Sequence, residues 1–92
     1  EEALEFGLIN EIFEGEDFFE QVLDYARQFA APNKPSKAVG LIKRAIQTGL
    51  QGSQWEGLAF ERELLAQAFG SSDAAEGLSA YKAKRVAKFE GK

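Results

Sequence analysis

Apolar residues recur at three- and four-residue steps along most of this chain, the spacing of a helix with one face against a neighbour. In "GEDFFEQVLDYARQFAAP", Phe19, Val22, Leu23, Ala26 and Ala30 share a face. Glu16, Asp17 and Glu20 are expected in the first turn, where negative charge complements the helix dipole. Pro32 and Pro35 bound that helix, and Pro35 opens the next, "PSKAVGLIKRAIQTGL". Its inner stripe is Ala38, Ile42, Ala45 and Ile46, and Gly49 and Gly52 end it. "SQWEGLAFERELLAQAFG" begins with a capping box, Ser53 and Glu56, and stops at Gly70. Asp73 and Glu76 repeat that capping logic for a last helix in "SSDAAEGLSAYKAKRVAKFEGK", with Leu78, Tyr81 and Arg85 along one strip. At the start, "EEALEFG" reads as the last turns of a helix stopped by Gly7. "LINEIF" is too short for a helix and reads as an extended connector that buries its apolar side chains. The pattern predicts an all-α fold of about four main helices after a short helical start, joined by Gly- or Pro-marked turns.

One helix departs from simple amphipathicity. Trp55, Leu58, Ala59, Leu65, Ala66 and Phe69 lie on one side of it, and Phe60, Leu64 and Ala68 on another. A helix apolar over that much of its circumference needs partners on two sides. A bundle of 92 residues can hardly supply both. One side is expected to meet another subunit or the rest of a longer protein. The chain also lacks Met and opens already in helical register, without a capping residue. It is therefore expected to be a piece of a longer chain that self-associates when isolated.

Composition narrows the chemistry. With no Cys there is no disulfide or thiolate, and with no His the commonest general base and metal ligand is missing. No Gly-rich phosphate loop occurs, and no metal site is expected. Glu61 and Glu63 are two apart and point apart, while Glu16 and Glu20 share a face that dipole compensation explains. No catalytic residue is expected in the chain itself. There is no secretory signal and no apolar run of membrane-spanning length, so a cytoplasmic protein without a membrane partner is expected.

Charge points to one place. The formal net charge is −4, which argues against nucleic acid. Glu1 to Ala26 contains no Lys or Arg, whereas Lys82, Lys84, Arg85, Lys88 and Lys92 crowd the end. Tyr81, Lys84 and Arg85 are spaced i, i+3, i+4, so on a continuing helix the ring and both cations share a surface. A ring can stack on a nucleobase and the cations can pair with phosphates. The alternative is a core tyrosine beside solvated cations.

Three segments carry a resemblance. "EALEFGLINEIF" resembles the "EA-x-x-x-GLV-x-x-V" segment of enoyl-CoA hydratases and isomerases, the crotonase family. "GLAFERELLAQAF" is similar to their "GL-x-x-E-x-x-x-F-x-x-x-F" helix, with Leu65 for the first aromatic. The closing stretch is similar to their "D-x-x-EG-x-x-AF-x-x-KR" element, with Asp73, Glu76, Gly77, Ala80, Lys84, Arg85, Phe89 and Gly91 in register. The resemblance covers nearly the whole chain. It implies a C-terminal helical domain of the kind that packs into trimers, often paired into hexamers. The catalytic oxyanion hole and carboxylates would lie in an upstream α/β half absent here. It further implies that residues 1–92 support oligomer assembly, and that Tyr81 and Lys84, with Arg85 a weaker candidate, reach the adenine and phosphate end of coenzyme A. The coenzyme would be part of the substrate, with no other cofactor. Tyr81 replaces Phe, which preserves stacking. The family's common proline is missing from "KRVAKFEGK", where Val86 stands, so the last helix is expected to run further than usual. The competing reading is a freestanding helical module that binds a partner protein through its apolar surface.

Overall fold

The local signals set most of the helix bounds. The computed structural model describes residues 1–92 and contains five helices and no strand. Helix α1 is Glu2–Glu5, followed by Gly7 at φ +70°. Helix α2 is Phe18–Arg27, α3 Ser36–Gly49, α4 Gln54–Phe69 and α5 Ser72–Ala83. The all-α expectation is met. No helix is long and apolar enough to cross a membrane.

Glu16 and Asp17 fall short of the expected first turn. Helix α2 starts at Phe18, so only Glu20 faces the dipole from within the helix. Glu16 therefore shares no helix face with Glu20. Asp17 accepts a hydrogen bond from Gln21 Nε2 at 3.0 Å instead of capping an amide. The connector is not helical and bends at Leu8 and Asn10, and only Phe13 is partly covered in it. Leu8, Ile9 and Ile12 remain exposed. Phe13 meets Tyr25 edge-on at 5.6 Å, and Tyr25 meets Phe29 at 5.3 Å. That aromatic row holds the connector against α2.

Helices α3 and α4 form the best-packed pair. They approach closely where Gly57 faces Gly49. A Cβ on Gly57 would lie 3.3 Å from the Gly49 Cα, so a side chain there would require a shift of the neighbouring backbone. Arg44 lies over the Phe60 ring at 5.1 Å, a cation–π contact across the pair. Leu64 is the centre of the contact, with 2% of its surface exposed. The expected inner stripe of α3 is only half inside. Ala38 and Ala45 are partly covered, whereas Ile42 and Ile46 stay exposed beside an open trough.

Very little of the chain is buried. Only Leu64, Ala80, Ser71 and Asp73 are, and two of those four are polar. The molecule is a slab of 42 × 40 × 19 Å with a radius of gyration of 16.5 Å. A self-contained domain of this length has a radius of gyration of about 12 Å. The exposed surface tells the same story. The chain weighs 10.1 kDa. A compact monomer of that mass exposes about 5300 Å². This chain exposes 7649 Å². The excess over the compact monomer is about 2300 Å². Much of it is apolar. Trp55, Leu58, Leu65 and Phe69, one of the two apolar sides of α4, all face outward.

Candidate functional site

Helix α5 starts on Ser71, not on the expected pair. The Ser71 hydroxyl accepts from the Ala74 amide at 3.1 Å and donates to the Ala68 carbonyl at 2.6 Å. That frees both acids for another task. Asp73, 3% exposed, accepts from the Glu90 amide at 2.7 Å and the Gly91 amide at 2.8 Å, one with each oxygen. Its own amide donates to the Lys92 carbonyl at 3.1 Å, and Ser72 Oγ donates to the same carbonyl at 2.9 Å. Glu76 receives both Arg85 Nη groups, at 2.6 and 2.7 Å, and the Lys88 amide at 2.8 Å. The Arg85 fork and the Lys88 amide hold the Glu76 carboxyl well below its usual 4.5, at about 2. Glu76 in turn raises the pKa of Arg85.

The result is a clasp. Residues 86–92 form no helix or strand and return along α5, with the Phe89 ring over Gly77. A Cβ on Gly77 would sit 3.6 Å from that ring, ordinary contact distance, so the glycine is not required there by space. Gly91 is more constrained. Its φ is +79°, and a Cβ would come 2.7 Å from Ser36 Oγ. Phe89 also donates its amide to the Pro32 carbonyl at 3.3 Å, which ties the tail to the α2–α3 connection.

The last helix does not run on past the missing proline. It ends at Ala83, and Lys84 follows at φ +53°, ψ +38°, the left-handed region. The Arg85 amide donates to the Ala80 carbonyl at 3.0 Å and the Lys84 amide to the Tyr81 carbonyl at 3.1 Å, the paired bonds of a Schellman turn. Lys84 thus holds a position usually taken by glycine. The i, i+3, i+4 geometry expected of Tyr81, Lys84 and Arg85 requires helix through Arg85, and the chain has already turned. The expected strip of Leu78, Tyr81 and Arg85 fails for the same reason.

The three candidates therefore have different surroundings. Tyr81, in the last turn of α5, is 86% exposed, which removes the core-tyrosine alternative within this chain. Lys84 is exposed at the reversal and makes no ion pair. Arg85 is committed to Glu76 and also donates to Ser79 Oγ at 3.3 Å and the Val86 carbonyl at 3.2 Å. Within this chain the side chains of Tyr81 and Lys84 have no polar partner, whereas Arg85 braces the turn between them and the tail.

A hollow of about 500 Å³ beside the start of α4 is lined by Thr48, Gln51, Glu56 and Phe60 with two glycines, and its one acid, Glu56, is taken up by the Ser53 cap. The trough between α3 and α4 holds about 340 Å³ and is walled by Leu41, Ile42, Ile46, Leu64 and Leu65 with three alanines, and Glu61 is its one polar residue. A second hollow of about 380 Å³ beside Phe69, Leu78 and Phe89 shares Ala38, Leu65 and Ala68 with it. Such a surface suits packing against other protein. No group of three or more acids could hold a metal ion.

Comparison with known proteins matches residues 1–92 to the enoyl-CoA hydratase/isomerase family model. The chain is 36% identical over 95 residues to the mitochondrial methylglutaconyl-CoA hydratase of Mus musculus, covering 99% of this chain and 30% of that protein. It is 35% identical over 92 residues to the 1,2-epoxyphenylacetyl-CoA isomerase of Escherichia coli, covering 100% of this chain and 34% of that protein. The crystal structure of an enoyl-CoA hydratase from Geobacillus kaustophilus superposes with a TM-score of 0.84 at 38% identity, over 99% of this chain and 34% of that one. The chain thus spans about a third of the length of the relatives it matches.

Proposed function

Because the chain belongs to the enoyl-CoA hydratase/isomerase family, we propose that it forms the C-terminal helical domain of an acyl-CoA enzyme, most simply an enoyl-CoA hydratase, with double-bond isomerisation the second candidate. Residues 1–92 then supply assembly surface and part of the coenzyme A site, while the groups that move protons lie elsewhere in the parent. The observation that carries the assembly role is the surface excess of about 2300 Å² over a compact monomer of this mass. A standard protein–protein interface takes only about 800 Å² from each partner. The outward side of α4 and the open trough therefore have area for both the catalytic half and neighbouring subunits of a trimer or hexamer.

The coenzyme role rests on Tyr81 and Lys84. An exposed ring and an unpaired ammonium, three residues apart in the chain on either side of the helix end, suit a ligand that ends in adenine and phosphates. The hydratase and isomerase named above both act, by their names, on coenzyme A thioesters. Coenzyme A affinity measured calorimetrically in the full-length protein tests this role. Lys84→Ala and Tyr81→Ala should each weaken binding by about 1 kcal/mol or more, the scale of one charge-assisted contact or one stacked ring. Unchanged affinity in both variants overturns the assignment. A freestanding partner-binding module would also expose an apolar face, so gene length separates the readings: the proposal needs about 160 residues or more upstream.

A further inference from the structure

We propose that Arg85 is a positioning residue: by bridging α5 to the chain beyond the turn, it sets where the Lys84 ammonium points toward the nucleotide end of the ligand. This rests on the coenzyme A reading above. Lys84 sits in a left-handed conformation that disfavours side chains with a Cβ. A strained residue keeps such a conformation only where its surroundings over-determine it. Here two backbone bonds close the turn, and one side chain adds the link across it. The Arg85 guanidinium reaches back to Glu76 and Ser79 on α5 and forward to the Val86 carbonyl. Glu76 then takes the Lys88 amide, the hold on the far side of the reversal nearest to Lys84, with Asp73 holding Glu90 and Gly91 further on. Lys84 is the residue held between these anchors.

The sign of one substitution separates positioning from charge. Glu76→Gln removes a negative charge near a site for an anionic ligand. Electrostatics alone would then strengthen binding. Loss of the fork to Arg85 would weaken it, because the Lys84 turn is released. Arg85→Lys keeps the charge and loses the planar fork, so a direct charge contact would survive it and a brace would not.

The experiment measures affinities of the full-length protein for butyryl-CoA and for S-butyryl-pantetheine, which lacks the nucleotide. Glu76→Gln and Arg85→Lys should each weaken butyryl-CoA about tenfold, the order found when partners that orient a metal ligand are removed. Both should bind the pantetheine thioester as the parent does. Binding of butyryl-CoA at parental or greater strength in these variants, while Lys84→Ala is weakened, overturns the positioning role and leaves the coenzyme reading standing. Equal loss for both thioesters also overturns it, since the defect is then not confined to the nucleotide end. If Lys84→Ala and Tyr81→Ala bind butyryl-CoA normally, the coenzyme reading falls and the positioning role falls with it.

Discussion

Lys84 carries two demands that pull apart. Its backbone takes a conformation that glycine would accept at no steric cost, yet its ammonium is the free cation of the turn. Lys84→Gly should therefore stabilise the protein by about 1 kcal/mol, read as a shift in denaturant midpoint, while coenzyme A affinity falls. Stabilisation without loss of affinity would remove Lys84 from the site. Glu76 gives a second residue-level expectation. Its carboxyl sits near 2 in the folded chain against an ordinary 4.5, because Arg85 and the Lys88 amide favour the charged form. The unfolded chain thus takes up this proton first as pH falls. The contribution of the pair is full above about 4.5 and is lost as pH falls through about 2. An acid titration of stability should flatten over that window in Glu76→Gln, and an unchanged slope would contradict it. Asp73 shows why such roles are hard to read beforehand. Its partners, Glu90 and Gly91, are 17 and 18 residues away, and no local rule links them.

At the scale of elements, adjacency decided what the sequence could reveal. The start of α4 was legible because Ser53 and Glu56 need only each other. The Glu56 carboxylate takes the Ser53 amide at 2.9 Å, and Ser53 Oγ takes the Glu56 amide at 3.3 Å. The bonds from Ser53 to the carboxylate also lower the Glu56 pKa. Ser53→Ala should cost about 1 kcal/mol of stability in thermal or chemical denaturation, and no loss would mean the cap is redundant. Helix α5 was harder. Ser71 and Asp73 are both capping residues, two apart, and only the tail contact explains why Ser71 caps and Asp73 does not. Its C-terminus was missed for a related reason. No glycine marks the stop, so the helical period extrapolates through Lys84 and Arg85 and places them beside Tyr81. The motif "D-x-x-EG" and the tail were recognisable as a pattern. That Asp73, Glu76, Arg85 and Gly91 form a clasp was not, because the pattern holds no distances.

For the molecule as a whole, the two-sided apolar pattern of α4 proved the most informative feature. It predicted that one side would find no partner in this chain, and Trp55, Leu58, Leu65 and Phe69 are left outside. Only α3 and α4, and more sparsely α4 and α5, contact each other as helices; α1 and α2 lie apart from them. Two buried apolar residues are far too few to hold a slab of this extent by themselves. The central claim is that these helices are built to lie against more protein. Sedimentation of the isolated 92-residue chain at tens of micromolar tests it most directly. The account predicts concentration-dependent self-association through the uncovered side of α4 and the neighbouring trough. A stable, compact monomer at those concentrations would contradict it.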